Sequence, residues 1–266
     1  MRAATTRLPS EKTHCAAPPA LPVWAWRARH RVWLIAREHP RLFYTLARDR
    51  GFAANQLIGP DTELVIEGYP RSANSYAVIS FQLAQPQARI IAHHTHAPAQ
   101  VIQAAKRGLP LLVPIRHPGD AVASLVIRDH RYTVDLALEA YVRFYETVLP
   151  YRDRMILARF EDITRDFGSV IQQLNHRFGT AFTLPESEPE ARDRCFRMIE
   201  QIDQQSGGSE RSVARPSAWR QERKRERVAE IQCAAHYADA IRIYERATES
   251  RISPARRYAR VIVLST

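Results

Sequence analysis

The residues best suited to chemistry form one eight-residue loop, residues 68–75, with the sequence Gly-Tyr-Pro-Arg-Ser-Ala-Asn-Ser. A short apolar run, residues 63–67, precedes this loop, and apolar residues at helical spacing follow it over residues 74–83. A strand, a tight turn and a helix N-terminus in this order point several backbone N–H groups at one place. The pattern therefore predicts a binding site for a phosphate or a similar anion.

The same loop departs from the nucleotide-hydrolase pattern G-x-x-x-x-G-K-[ST] at two positions. Gly68 and Ser75 match the pattern, but Ala73 replaces the second glycine and Asn74 replaces the lysine. The cation of the loop is Arg71 instead. Because the lysine normally reaches the β- and γ-phosphates, a loop without it is poorly suited to transfer of the γ-phosphoryl group of ATP.

A second motif covers residues 111–124, an apolar strand that ends at Arg116 and is followed by a helix opened by Pro118. Proline at the first helical position and an acid, Asp120, in the first turn are typical of a helix start. The planar guanidinium of arginine can engage two phosphate oxygens at once, so Arg116 is a candidate phosphate ligand. The alternative is structural, with Arg116 capping the helix or pairing with Asp120.

Three histidines, His93, His94 and His96, follow the apolar run 88–92. An imidazole has an unperturbed pKa of about 6.5, which suits a general base near neutral pH. A metal site is the alternative, but an H-x-H pair needs further ligands and no cysteine or acidic cluster of suitable spacing follows. For His93 we favour a hydrogen-bonded core histidine and leave it out of the predicted site.

Together these motifs resemble the PAPS-dependent sulfotransferases, whose donor is 3′-phosphoadenosine 5′-phosphosulfate (PAPS). Residues 69–76 resemble the family's 5′-phosphosulfate loop, usually written Y-P-K-S-G-T-T-W, and residues 111–124 are similar to its 3′-phosphate segment. Residues 94–98 resemble the family's K-T-H-L-P segment, and residues 159–163 its R-Y-E-D-L segment. The resemblance spans roughly residues 62–185.

The resemblance implies direct in-line transfer of a sulfuryl group from PAPS to a hydroxyl or amine, with no metal. His96 takes the position of the catalytic base and His94 that of the family's lysine, while Arg71 serves both donor binding and catalysis. Arg116 and Ser124 take the positions that bind the 3′-phosphate. The donor loop comprises Arg71, Ser72, Ala73, Asn74, Ser75 and Tyr76.

A basic segment near residue 215 resembles the part of the family that closes over the 3′-phosphate. It follows a Gln/Ser/Gly-rich stretch, residues 204–209, that is typical of a mobile loop. Arg215 is the nearest equivalent of the family's cation, and Arg211 and Arg220 are alternatives. An exposed basic loop before a helix explains the same residues without function.

Apolar strands that alternate with helices predict an α/β fold, a single P-loop-like domain with a central parallel sheet and helices on both faces. The expected strands are 63–67, 88–93, 110–115 and 154–160. The expected helices are 98–107, 118–128, 134–148, 167–178, 190–201 and 217–247. We expect a disordered N-terminus over residues 1–21, a basic aromatic helical segment over 22–60 and the sulfotransferase domain over 61–266.

The net charge and the cysteine content indicate which kinds of partner and compartment to expect. The 266 residues carry a formal charge of +11, which attracts anions but does not by itself choose between a charged donor, nucleic acid and anionic lipid. Acids alternate with bases over residues 220–227, so we interpret that run as a solvated helix face and expect no nucleic-acid partner. Three widely spaced cysteines argue against a disulfide framework and for a reducing compartment, so we expect the cytoplasm.

Residues 22–51 are basic and aromatic. They are interpreted either as a pair of helices, broken at Pro40, that packs on the core, or as a peripheral membrane contact. The second interpretation would make the enzyme membrane-associated. We favour the first.

The acceptor predicted for the enzyme is a small molecule, a glycan or a lipid, with a mild preference for a glycan or glycolipid because the surface is basic. Two other functions are carried as alternatives. One is a P-loop-like small-molecule kinase, and the other is a protein that binds PAPS or its product adenosine 3′,5′-bisphosphate (PAP) without catalysis.

Overall fold

The fold is built on one parallel sheet. A computed structural model describes residues 21–49, 51–53, 56–186, 188–205 and 218–249. Four strands, β1 (Leu64–Ile66), β2 (Ile91–His93), β3 (Leu111–Ile115) and β4 (Ile156–Arg159), lie in the order β2-β1-β3-β4, and every pair is parallel. The chain leaves β1 for β2 on one side and then crosses to β3 on the other. The direction of winding therefore changes beside β1, where open α/β sheets bind ligands at the carboxyl ends of their strands.

The helices that cover the sheet follow the strands in regular alternation. In chain order they are α1 (Val23–Ala36), α2 (Pro40–Asp49), α3 (Asn74–Ala84), α4 (Pro98–Arg107), α5 (Pro118–Arg128), α6 (Val134–Val148), α7 (Phe160–Arg165), α8 (Phe167–Phe178), α9 (Pro189–Gln205), α10 (Ala218–Gln232) and α11 (Tyr237–Thr248). A 3-10 turn, Leu149–Arg154, connects α6 to β4.

Both faces of the sheet are buried, because successive side chains of a strand point to opposite faces. Val65 of β1 belongs to a core cluster shared with α4, α5, α6 and α11. Its neighbours Leu64 and Ile66 belong to a second cluster shared with α3, α8 and α9. The predicted fold class, a parallel α/β sheet with helices on both faces, is confirmed.

The expected elements recur with corrections to some boundaries. The strand predicted over 88–93 begins only at Ile91, and the one predicted over 154–160 begins at Ile156, after the 3-10 turn. The helix predicted over 217–247 is two helices, α10 and α11, separated by a turn over residues 233–236. The break lets Ile231 on α10 and Ala240 and Ile243 on α11 reach the same core cluster, which one straight helix would not allow. The fourth strand also ends at Arg159, because Phe160 already begins α7.

Residues 22–49 form two helices that meet near Pro40 and pack on the domain. Trp33, Ala36, Phe43 and Ala47 are buried in a cluster with the residues around the start of α4. Their outer surface carries exposed apolar side chains, among them Trp24 at 74% and Val32 at 67%. Across the part of the chain that the structure describes, no helix is both long and apolar enough to cross a membrane.

Candidate functional site

The loop that follows β1 lies close against β3. A Cβ atom on Gly68 would come within 2.5 Å of the carbonyl oxygen of Pro114, so this position requires glycine. Arg71 and Ala73 adopt left-handed backbone conformations, with φ of 68° and 75°. L-residues with side chains adopt this region only at an energetic cost, which the surrounding fold must offset. The loop is thus held in a strained and specific shape.

The N-terminus of α3 is aimed into this loop. The backbone N–H of Ala77 makes the first helical hydrogen bond, to the carbonyl of Ala73 at 2.9 Å. The N–H groups of Asn74, Ser75 and Tyr76 precede that bond and have no helical acceptor. The Asn74 side chain does not face outward, because its Nδ2 donates to the carbonyl of Tyr69 at 3.0 Å. Asn74 therefore fastens the loop with its side chain and leaves its main chain available to an anion.

Arg71, Ser124 and Arg116 form one contiguous cluster. The Arg71 Nε donates to the hydroxyl of Ser124 at 2.9 Å, and the Arg116 Nη1 donates to the carbonyl of Arg71 at 3.2 Å. Arg116 also stacks on the Phe160 ring, with 3.9 Å from its Cζ to the ring centroid, and its Nη2 lies 3.7 Å from Asp120. The structure thus joins two motifs that are about fifty residues apart in sequence. It also shows the structural contact of Arg116 with Asp120.

Lys224 of α10 brings a further cation to this cluster. Its Nζ lies 2.8 Å from the carboxylate of Asp120. Burial, followed by the charge of Arg116, lowers the pKa of Lys224, and the charge of Arg71 acts in the same direction. A cleft of about 220 Å³ opens beside Asp120 and Lys224, between the start of α5 and α10. Lys224 thus adds positive charge to the cluster of Arg71 and Arg116, and the cleft opens beside its Asp120–Lys224 pair.

His96 is held as a neutral imidazole of known tautomer. Its Nδ1 lies 2.8 Å from the carbonyl oxygen of Gly68. Because a carbonyl can only accept, Nδ1 must carry the proton and Nε2 must carry the lone pair. Burial lowers the pKa of His96 to about 4, although its side chain keeps 24% of its exposure. The unprotonated Nε2 is the form that a general base requires.

Glu67 is a buried carboxylate directly behind His96. It is 0% exposed, and burial raises its pKa to about 7. Thr95 donates to its Oε2 from both the backbone N–H, at 3.0 Å, and the hydroxyl, at 2.7 Å. The N–H of His96 donates to Oε1 at 2.8 Å, and the His96 Nδ1 lies 3.6 Å from the same oxygen. Glu67 thus fixes the backbone on both sides of the histidine turn and places a carboxylate beside the imidazole.

His94 links Ser75 to His93. Its Nε2 lies 2.9 Å from the Ser75 hydroxyl, and its Nδ1 lies 2.6 Å from the Nδ1 of His93. Burial holds the pKa of His94 well below its usual value and lowers that of His93 to about 4, so both rings are neutral. His93 is hydrogen-bonded as predicted, but its partner belongs to the site. Within the described ranges, no group of three or more histidines, cysteines and acids is arranged to hold a metal.

The other predicted site residues fall in different places. Ser72 is fully buried beneath the loop. The Tyr76 ring packs against Phe167 and Phe196 in the core, so the structure does not bring its side chain to the Arg71 cluster. Arg215 lies outside the described residues, and its assignment remains a prediction.

Two residues of the candidate site, Glu67 and Lys224, were not predicted from the sequence, although Glu67 had a visible signal. Glu67 is an acid directly after an apolar strand, and acids in such positions are often buried carboxylates at functional sites. Lys224 carried no such signal, because it lies within a run of alternating charges whose other members form exposed pairs such as Arg223–Glu226.

Comparisons with known proteins add little to this geometry. No family model matches the chain, and no curated protein matches its sequence. Among solved structures, the chain is similar to the mouse sulfotransferase SULT7A1 complexed with PAP, with a TM-score of 0.38 and 11% identity. The match covers 73% of this chain and 92% of that one. Similarity this low carries no functional inference.

Proposed function

We propose that this protein is a PAPS-dependent sulfotransferase that transfers a sulfuryl group to a hydroxyl or amine of its acceptor. The observation that carries the proposal is the convergence of three segments at the carboxyl ends of adjacent strands. The loop with Arg71 follows β1, the base His96 follows β2, and Arg116 follows β3. A cation cluster and a neutral base on either side of one strand end are the groups that in-line transfer of a charged group requires.

The groups of the site that could bind an anion match the two charged ends of PAPS. The donor carries a 5′-phosphosulfate and a 3′-phosphate, and when bound it supplies the activated sulfuryl group. The N–H groups at the start of α3, together with Arg71, would hold the 5′ end. Arg116 and Ser124 would hold the 3′-phosphate, with Lys224 beside them. The Arg116 Nε is buried without a partner among the described residues, as expected of a side chain built for an anion.

The residues around His96 would carry the proton transfer. Its Nε2 accepts the proton of the acceptor hydroxyl, while Nδ1–H stays bonded to the carbonyl of Gly68. The imidazolium formed in this way is stabilised by the Glu67 carboxylate 3.6 Å from Nδ1. Arg71 is placed to stabilise negative charge on the leaving oxygen. General acid–base catalysis of this kind contributes roughly 10²–10⁴-fold in rate.

A kinase is less consistent with the same geometry. In P-loop kinases the serine or threonine at the end of the loop binds magnesium. Here the equivalent hydroxyl, that of Ser75, is hydrogen-bonded to His94 at 2.9 Å. The residue that follows the third strand is Arg116 rather than an acid. Both observations favour a donor that needs no metal.

Ligand-induced stabilisation separates these functions. At about 100 times its Kd, PAP is expected to raise the melting temperature by roughly 5–10 °C. ATP with magnesium should produce a much smaller shift. Arg116→Gln should reduce the shift with PAP, and Arg41→Gln, on the exposed surface of α2, serves as the control. A shift with ATP and magnesium but none with PAP would contradict the proposal.

Turnover separates an enzyme from a donor-binding protein. Labelled PAPS and a panel of phenols, sugars and lipids would identify an acceptor, and His96→Ala should then lower kcat by roughly 10²–10⁴-fold. His130→Ala, an exposed histidine, is the matched control. PAP binding without any turnover would favour a protein that has lost catalysis.

A further inference from the structure

Arg37 is a buried arginine that reaches the catalytic region from the N-terminal helices. It directly follows α1, and its carbonyl accepts a hydrogen bond from the N–H of Ala99 at 2.8 Å. Ala99 lies in the first turn of α4, three residues after His96. The Arg37 residue is only 8% exposed, and its Nε is fully buried with no hydrogen-bond partner among the described residues.

The charge of Arg37 is not neutralised by the residues around it. Two carboxylates lie near enough for their charges to act on its pKa, those of Glu67 and Glu38. Glu67 is already bonded to Thr95 and His96, and Glu38 is paired with Arg143 at 2.7 Å. Within the described part of the chain, Arg37 has no ion pair. A buried charged nitrogen without a hydrogen-bond partner, such as the Arg37 Nε, is unfavourable and calls for an explanation.

The main-chain bond to Ala99 and the reach of its charge both bring Arg37 near His96. The charge of Arg37 acts on His96 as well as on Glu67. The charge of Arg128, an exposed residue at the end of α5, acts on both His94 and His96. The charges of two guanidinium groups thus act on the base, in addition to the cluster of Arg71 and Arg116 assigned to the donor.

We propose that Arg37 binds a carboxylate of the acceptor and that this carboxylate lies close to the hydroxyl that His96 deprotonates. The inference rests on the proposed function and extends it to the acceptor, which would be a hydroxy acid such as an acidic sugar. A planar guanidinium fork matches a carboxylate with two parallel hydrogen bonds. A buried setting strengthens these bonds, because little water competes for either partner.

A purely structural role is the main alternative. In that case Arg37 would only favour the ionised form of Glu67 from within the protein, and no external anion would depend on it. The two roles differ in a measurable way. A structural Arg37 affects an acidic and a neutral acceptor equally, whereas a binding Arg37 distinguishes them.

The test uses the full chain saturated with PAP, so that the donor site is filled, with glucuronate and glucose as probes. The two sugars share ring hydroxyls and differ in the carboxylate. In the unmutated protein, glucuronate should raise the melting temperature further and glucose should not. Arg37→Gln should bind glucuronate roughly tenfold to hundredfold more weakly, the usual size of a hydrogen bond to a charged group. Arg41→Gln should bind it normally.

A second measurement covers the case in which Arg37→Gln does not fold. In the unmutated protein with PAP, glucuronate should shift the ring signals of His96 in an NMR spectrum, and glucose should leave them unchanged. Arg37→Lys, which keeps the charge without the fork, should bind glucuronate with intermediate affinity. The inference is wrong if neither sugar, or both equally, affect the protein, or if the Arg37 variants bind glucuronate as tightly as the unmutated chain. A missing PAP shift would instead contradict the proposed function.

Discussion

The substitution Glu67→Gln tests how the buried pair of Glu67 and His96 handles protons. It keeps the size of a side chain that is 0% exposed and removes its charge. Burial raises the pKa of Glu67 to about 7 and lowers that of His96 to about 4, and the two groups approach to 3.6 Å. Groups this close bind protons in two steps that belong to the pair. We expect the first proton on the carboxyl group near pH 7 and the second on the imidazole near pH 4.

The size of the effect follows from these values. The pKa of Glu67 rises from 4.5 to about 7, which corresponds to about 3 kcal/mol at roughly 1.4 kcal/mol per pKa unit. In an acid titration Glu67 is already neutral by the time the pH reaches about 4, where His96 takes its proton, so a neutral glutamine should leave the step near pH 4 in place. The step near pH 7 should disappear. The folded pKa of Glu67 is raised, so its contribution to stability is present below pH 4.5 and is lost as the pH rises through about 7.

The assay is an NMR titration of the His96 ring, which needs no acceptor. The unmutated protein should show two inflections, near pH 7 from the neighbouring carboxyl group and near pH 4 from the ring itself. Glu67→Gln should show the lower inflection alone. Glu63→Gln is the control, because Glu63 lies just before the same strand and is paired with Arg89 at 2.8 Å, away from the site.

One outcome would refute the reasoning. If the His96 signal of Glu67→Gln still changed near pH 7, the proton of the first step would be on the imidazole. The ring would then be charged near neutral pH, and the role of His96 as a ready base would have to be abandoned. Chemical denaturation gives an independent check, since the free energy of unfolding of the variant should fall less than that of the unmutated protein between pH 4.5 and 7.

Three further predictions concern the loop, the histidines and the N-terminal helices. Ala73→Gly removes the strain of a left-handed alanine and should raise the free energy of unfolding in urea by about 0.5–1 kcal/mol. This value is the difference between about 1–2 kcal/mol of strain and the greater freedom of glycine in the unfolded chain. A decrease would show that the loop is not strained at residue 73. Burial lowers the pKa of His93 to about 4, so this histidine destabilises the folded protein as the pH falls from 6.5 to 4. Over that interval, the free energy of unfolding measured in urea should fall by about 3 kcal/mol less for His93→Gln than for the unmutated chain. Equal decreases would contradict this prediction. If the exposed apolar side of α1 contacts membranes, Trp24→Ser combined with Val32→Ser should reduce co-sedimentation with phosphatidylserine vesicles at least about tenfold. Leu83→Ser, at an apolar position of α3 that is 49% exposed, should not reduce it. Unchanged sedimentation of the double variant would remove this surface from membrane binding.

Much of the fold could be predicted because its signals are local. Apolar runs of strand length alternate with helical periodicity, and proline or glycine marks the element boundaries, as at Pro118. The sequence failed where a boundary depends on packing. The chain over 217–247 has helical composition throughout, and only the core shared by α10 and α11 decides that it must turn near residue 233.

The sequence by itself determined the chemical character of the site. The anion-binding loop after the first strand and the candidate phosphate ligand Arg116 were predicted from residue type and spacing, because each lies in a short segment whose local geometry follows from its own residues. The choice of Ser124 and of His96 as the base came from the resemblance to sulfotransferase motifs. Their meeting at one edge of the sheet could also be expected, because parallel strands present their carboxyl ends together.

Only the tertiary structure decided how these groups are set for chemistry. The tautomer of His96 depends on the carbonyl of Gly68, which is distant in sequence, and the role of Glu67 depends on Thr95 and His96 folding over it. Arg37 reaches the site from a helix that no motif connects to it. Protonation, burial and the pairing of charges depend on residues that are close in space. Because many of these residues are distant in the chain, the sequence alone does not show which of them meet.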